Sequence, residues 1–292
     1  MSDLAIRTAA HHAPPRHAVD LVPAAGPRSR RSGPARRLTP APLPKGMRLL
    51  GPILLLLVWE AASRLGLISP YTLAAPSTAL ATGYALIADG SLLPHLAASA
   101  ARAYSGLALG VTAGVVLALL SGLTRSGEAL IDGLVQVKRA VPTLALIPLA
   151  IIWLGIGEAM KVFLIFTAVL VPVYINTHAA LRGIDIRHIE LARTLRLTRW
   201  EFIRKVALPG ALPGFFVSLR LAVALCWTAL VVLELVNTQT GIGYLMNRAR
   251  DWGQTDIIVV GILIYAALGL ASDGVVRAVE RRVLRYRRGL GA

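Results

Sequence analysis

The chain has 292 residues, 55% of them hydrophobic and 16% charged, with a formal net charge of +16. That is too apolar for an ordinary soluble domain. The basic residues also collect at the two ends and in one central segment, between apolar runs, which is not how a nucleic-acid-binding surface spreads them. A single cysteine, Cys226, excludes an internal disulfide.

Residues 1–46 are rich in Pro, Ala, Arg and His, lack apolar periodicity and are read as a disordered basic tail. Arg30-Arg31 and Arg36-Arg37 precede an apolar run, as in a twin-arginine signal. So long a leading stretch with several spans behind it does not fit a cleaved one. Residues 47–94 are expected to hold a first transmembrane helix, Leu49 to Ile68, and an external loop. The span has the ~20 residues a bilayer requires, and Glu60 and Arg64 can pair at i and i+4. The loop reading, over 69–97, rests on Pro70, Pro76 and Pro94 and on the absence of Lys and Arg.

A second span is expected over 100–122. Its Gly106, Gly110 and Gly114 recur every four residues, an interval that lets helices approach closely in lipid. Arg102 either snorkels to the outer interface or belongs to a short preceding helix. Arg125, Glu128, Asp132, Lys138 and Arg139 make the next connection polar and cytoplasmic. A third span, 141–157, should bend or break at Pro142 and Pro148. The fourth runs 162–181, the fifth Phe215 to Val236 and the sixth Asp256 to Val276. The segment 237–255 is external, and 277–292 is a basic cytoplasmic tail. The whole is an all-α polytopic membrane protein of about six transmembrane helices. The positive-inside rule puts both termini and the central basic segment on the cytoplasmic side of the membrane.

That central segment, 182–214, reads as two short helices. Asp185 is a plausible N-cap for the first, with Ile189, Ala192 and Leu195 on one face. Thr198-Arg199-Trp200-Glu201 opens the second as a capping box. Phe202, Ile203 and Val206 supply its apolar stripe, and Pro209 is expected to stop it. The turn falls near Arg196 and Leu197.

The spacing of this segment resembles a motif of permease subunits of bacterial ABC importers: Glu-Ala-Ala, three residues, Gly, nine residues, Ile-x-Leu-Pro. Here Glu190-Leu191-Ala192 is followed by three residues, Arg196, nine residues and Val206-Ala207-Leu208-Pro209. Arg196 stands where that family has Gly, a residue suited to a left-handed helix exit. The substitution predicts strain, a wider turn or a longer first helix. A DNA-binding helix-turn-helix or a membrane-lying amphipathic helix would explain the basic charge less well, since apolar spans flank the segment closely.

Residues 95–276 resemble the type I transmembrane domain of importers for sulfonates, taurine, nitrate and bicarbonate, closest to the aliphatic sulfonate and taurine branch. The resemblance is carried by Ile147-Pro148-Leu149, Trp153-Leu154-Gly155-Ile156-Gly157, Pro213-Gly214, Leu219-Arg220, Glu234-Leu235 and Gly241-Ile242-Gly243. It implies a homodimer of permeases, two cytosolic ATPase subunits that hold ATP and Mg, and an external solute-binding protein. It also implies a coupling loop that docks on the ATPase through Glu190, Ala192, Arg196, Thr198 and Glu201, with Leu208 and Pro209 closing the motif. The implied solute is an aliphatic sulfonate or taurine, with nitrate, bicarbonate or a thiamine-precursor-like solute as alternatives.

Other signals bear on mechanism. None of the four lysines follows a glycine, so the chain has no Walker A motif. No metal-ligand or catalytic constellation is visible, and a lone His178 reads as a packed, hydrogen-bonded residue. Arg220, Trp227 and Glu234 recur at seven-residue intervals and fall near one face of the fifth span, as a candidate translocation route. Arg220 and Glu234 are ~21 Å apart along the axis, too far to pair. An ion-gradient-driven carrier is the rival of another class.

Overall fold

Apolar runs of bilayer length become the four longest helices. The computed structural model describes residues 50–236 and 238–285. The expected tail 1–46 and the last residues, 286–292, lie outside them. All regular elements among the described residues are helical. Helices α3 (Leu92–Leu123), α6 (Glu158–Arg182), α9 (Leu208–Leu235) and α11 (Thr255–Val283) are each long and apolar enough to cross a membrane. Helix α4 (Arg125–Ala140) and the segment Thr143–Leu154, a 3-10 turn followed by α5 (Ile147–Leu154), meet at 92° and have together the length and apolar composition of a broken span or a re-entrant loop. Pro142 and Pro148 flank that turn, as expected. Helix α1 (Leu50–Arg64) begins at the first described residue.

The centre of the bundle is α6, packed between α3 and α9. The glycines of α3 make the first contact possible. A Cβ on Gly110 would lie 2.7 Å from Val169 and 2.8 Å from the Phe166 carbonyl; one on Gly114 would lie 2.9 Å from Val173 and from the Leu170 carbonyl. Two backbones therefore meet with no side chain between them, and dispersion contacts replace the hydrophobic drive that lipid does not supply. Leu164, Ile165 and Val169 of α6 join Ala222, Val223 and Leu230 of α9 in the main core.

Several boundaries differ from the sequence reading. The stretch 69–97 is largely helical rather than a loop: α2 spans Pro76–Ala88 and α3 begins at Leu92 instead of 100. Pro76 starts its helix, where a missing N–H is harmless. Ala75 gives α2 no side-chain cap. The Glu60 carboxylate caps it from α1 instead, accepting from Ser77 N (3.0 Å) and Ser77 Oγ (2.7 Å) and from Arg64 Nε (2.7 Å). Glu60 and Arg64 are thus paired as expected, with an added partner. Helix α11 runs on through Val283, seven residues past the expected span. The segment 237–255, expected to be an external connection, contains a further helix, α10 (Ile242–Asp251).

The starts of α3 and α6, the end of α9 and the whole of α10 share one end of the bundle. The end of α3, the start of α4 and the central basic segment share the other.

Candidate functional site

The central segment folds as a capped hairpin. Asp185 accepts from Arg187 N at 2.9 Å and starts α7 (Ile186–Thr194). Helix α7 stops because Arg196 turns left-handed, with φ 50°, the only positive φ of a non-glycine among the described residues. Arg196 N then donates to the Arg193 carbonyl (2.9 Å) and Leu197 N to the Ala192 carbonyl (3.0 Å). These are the two bonds of a Schellman ending. The turn is neither widened nor delayed: the arginine adopts the glycine conformation, at roughly 1–2 kcal/mol of strain.

The second arm is helix α8 (Arg199–Phe202). Thr198 Oγ1 accepts from Glu201 N at 3.3 Å, and Glu201 Oε2 accepts from Thr198 N at 3.0 Å, closing the expected capping box. Lys205 Nζ binds the other oxygen at 3.0 Å. The Thr198 amide, then Lys205 and the Thr198 hydroxyl, hold the Glu201 carboxyl down to about 2. Phe202 packs on Leu181, Ala207 and Ala211. Ala192 is buried, whereas Glu190 is exposed. Ile186, Leu191, Leu195 and Trp200 project from this polar hairpin with most of their surface bare.

Pro209 does not stop the helix. A π turn, Ile203–Ala207, precedes it, and Pro209 lies in the first turn of α9. The wider turn accommodates a residue that lacks an N–H. Arg199–Leu235 therefore runs as one helix of 37 residues. The second arm of the hairpin is the base of a membrane span.

At the opposite end of the bundle is a buried ionic cluster. Arg102, 4% exposed, neither snorkels nor stands on a separate helix. All five of its N–H groups are used. Nε and Nη2 grip the two oxygens of Glu158, Nη2 also reaching Thr240 Oγ1 at 2.9 Å. Nη1 donates to Glu234 Oε1 and to the Thr240 carbonyl, both at 2.6 Å. Glu234, 1% exposed, also accepts from Ser99 Oγ (2.7 Å), Tyr265 Oη (2.7 Å) and Gly243 N (3.0 Å). Lys161 stands 3.4 Å from Glu158, so two cations face two carboxylates. Gly241 has φ +124°, and a Cβ there would sit 2.6 Å from both Arg102 Nη1 and Glu234 Oε1. One on Gly243 would sit 2.5 Å from Glu234 Cβ. The Gly-Ile-Gly stretch is the backbone lid of this cluster.

The three route candidates separate. Arg220 is about half exposed and donates to Asp273 Oδ1 at 3.0 Å. Trp227 is buried, donating to Ser272 Oγ at 3.2 Å and meeting Tyr104 edge-on. Glu234 is consumed by the cluster. The face that seven-residue spacing predicted is therefore covered, over Trp227 and Glu234, by this chain's own α3 and α11. The sequence reading missed Ser99, Glu158 and Tyr265 as partners; ionisable residues at the same ends of different spans, Arg102, Glu158 and Glu234, were the available signal. His178 stacks flat on Tyr174 (5.5 Å, 4°), but its buried Nε2 has no hydrogen-bond partner among the described residues.

Spans in van der Waals contact, an ionic lock at one end and a polar hairpin built onto a span at the other describe a membrane-embedded transport subunit. Residues 110–285 match the family model described as binding-protein-dependent transport system inner membrane component. The chain is 43% identical over 235 residues to the putative aliphatic sulfonates transport permease protein SsuC of Escherichia coli (strain K12), covering 80% of this chain and 89% of that one. It is 38% identical over 239 residues to the protein of the same description from Bacillus subtilis (strain 168), covering 82% and 87%. The taurine transport system permease protein TauC of Escherichia coli (strain K12) is 33% identical over 234 residues, covering 78% and 85%. A solved structure, "Crystal structure of an amino acid ABC transporter with histidines", shares the fold at 15% identity and TM-score 0.56, covering 68% of this chain and 97% of that one. The chain belongs to the family of binding-protein-dependent transport system inner membrane components. It is a multi-pass inner-membrane permease subunit of an ABC importer, a transport component that works with ATPase subunits and a solute-binding protein.

Proposed function

We propose that two copies of this chain form the pathway by which an aliphatic sulfonate or taurine enters the cell, and that the hairpin of α7 and α8 docks on the ATPase from the cytoplasmic side. The observation that carries the coupling part is the unbroken helix from Arg199 to Leu235. Any displacement of the hairpin is a displacement of a span. Binding of ATP, held with Mg by the partner subunits, closes the ATPase pair and moves the hairpin, and α9 tilts with it.

In this reading Glu190 and the bare apolar side chains of the hairpin face the ATPase. Ala192 and Arg196 shape the exit of α7, and Thr198 and Glu201 fix the entry of α8. Leu208 and Pro209 join the hairpin to the span. The relatives' names support the sulfonate and taurine assignment, and Arg220 adds a positive side chain suited to an anion. Relatives also include a bicarbonate transport system permease protein, 31% identical over 198 residues, which keeps small inorganic anions as the second reading. The homodimer is supported by the apolar face that Val217, Leu221 and Leu225 leave exposed on α9, beside Arg220. Both termini are assigned to the cytoplasm on the clustering of Arg.

Glu190→Lys is the direct test. It should leave the spans folded and uncouple ATP hydrolysis from uptake; normal coupled uptake would defeat the docking assignment. An impermeant thiol reagent applied outside intact cells should leave Thr198→Cys unmodified. Labelling there would invert the orientation.

A further inference from the structure

Where α3 ends, the chain lines a half-open pocket of about 780 Å³ between the bundle and the hairpin. One wall is the α3–α4 corner, with Leu123 and Arg125; the other is the hairpin, with Ile189, Arg193, Arg199 and Phe202. Among the described residues the guanidinium groups of Arg125, Arg193 and Arg199 have no hydrogen bond or ion pair. Arg182, Arg220 and Arg277 all find carboxylates. Of the acids on the same elements, Glu128 pairs with Arg182, Asp132 accepts from Tyr174, Asp185 caps the start of α7 and Glu201 binds Thr198 and Lys205; Glu190 is exposed and is not part of the pocket lining. So three unpaired guanidiniums share a pocket with leucine, isoleucine and phenylalanine side chains.

Depth narrows the occupant. Helix α3 has 32 residues, about 48 Å at the helical rise, against a hydrocarbon core of ~30 Å and a bilayer of ~40–45 Å with its headgroups. An upright, centred α3 therefore carries its Leu123 end at least as far out as the headgroup layer. The chain's own tails are poor occupants. Residues 1–49 carry nine Lys and Arg against two Asp, and 286–292 carry two Arg and no acid.

We propose that this pocket binds the head of an anionic phospholipid, the guanidiniums of Arg125, Arg193 and Arg199 holding its phosphate oxygens while Leu123, Ile189 and Phe202 take the first carbons of its chains. The lipid would wedge between α3 and the hairpin and set the angle at which the hairpin leaves the bundle. Its placement in the inner leaflet rests on the orientation proposed above; the binding itself does not.

Native mass spectrometry of the full-length chain, delipidated in detergent and titrated with phosphatidylglycerol or phosphatidylcholine of equal chain length, reads the site. One phosphatidylglycerol should be retained in clear preference to phosphatidylcholine. Arg125→Gln/Arg193→Gln/Arg199→Gln should weaken it on the order of a hundredfold, about fivefold per charge removed. Arg277→Gln/Arg281→Gln/Arg282→Gln should not weaken it. If the triple variant does not fold, Arg193→Gln alone should show the fivefold step. Inorganic phosphate that displaces the lipid stoichiometrically at millimolar concentration would make this a free-oxyanion site and overturn the lipid assignment. Undiminished phosphatidylglycerol binding with loss of ATPase co-purification would give the surface to the ATPase and overturn it too. A failure of ATPase co-purification in the unmodified chain strikes the coupling reading alone.

Discussion

Arg102 shows what a buried charge demands. Its five donors join a buried carboxylate, Glu234, to the exposed Glu158, so removing the arginine leaves Glu234 buried without its cation. Arg102→Ala should destabilise the protein by about 3–5 kcal/mol, mainly through the stranded Glu234. Arg102→Lys should recover little, because a single ammonium cannot span Glu158, Glu234 and Thr240 together. Thermal unfolding in detergent measures both. At Arg196 the direction reverses. Replacing an arginine held at φ 50° by glycine relieves the left-handed strain. Arg196→Gly should therefore keep uptake and raise the protection of the Leu197 amide against hydrogen exchange.

Glu201 gives the hairpin a pH dependence. Its carboxyl titrates at about 2 rather than 4.5. The box it closes is therefore fully favoured above about pH 4.5 and is lost as pH falls from there toward 2. Glu201→Gln keeps an acceptor for the box and should remove this acid sensitivity, read as exchange of the Thr198 and Glu201 amides between pH 3 and 5.

For the elements, the interface of α3 and α6 is the most constrained. Gly110→Val must push two backbones apart and should cost at least 1–3 kcal/mol. Gly274→Val, where an added Cβ meets nothing within 4 Å, should change stability little. Unfolding midpoints of the two variants, compared in the same detergent, decide this.

Legibility followed the range of the signal. The hairpin could be read because its cap, its turn and its box are each made by residues no more than five positions apart. The glycine ladder of α3 has its own period, although the partner that fills it has none. The ionic cluster could not be assembled from sequence: Arg102 meets Glu234 across 132 positions and Thr240 across 138, and no local pattern announces either pairing. Pro76 and Pro209 were misread for one reason. A proline in the first turn of a helix looks, on paper, like a proline that forbids one.

Taking the molecule whole, charge separates its two ends. The unpaired arginines gather around the hairpin, and the compensated cluster closes the other end. If two copies pair through the exposed face of α9, each Arg220 stands beside its twin's span. Val217→Arg should then reduce dimer mass in detergent while a single chain remains folded, as followed by light scattering.

The helix from Arg199 to Leu235 is a strut about 55 Å long at the usual rise. A tilt of roughly ten degrees about its middle swings each tip by about 5 Å. The far tip is Glu234, riveted to four residues on three other helices, α3, α10 and α11, so it cannot swing by itself. Either the corner at Gly241–Gly243 and the top of α3 travel with it as one block, or the rivets shear. A spin label on exposed Trp252, in a Trp252→Cys variant, would tell the two apart: co-travel keeps its distance to the top of α3 fixed through the ATP cycle, and shear changes it.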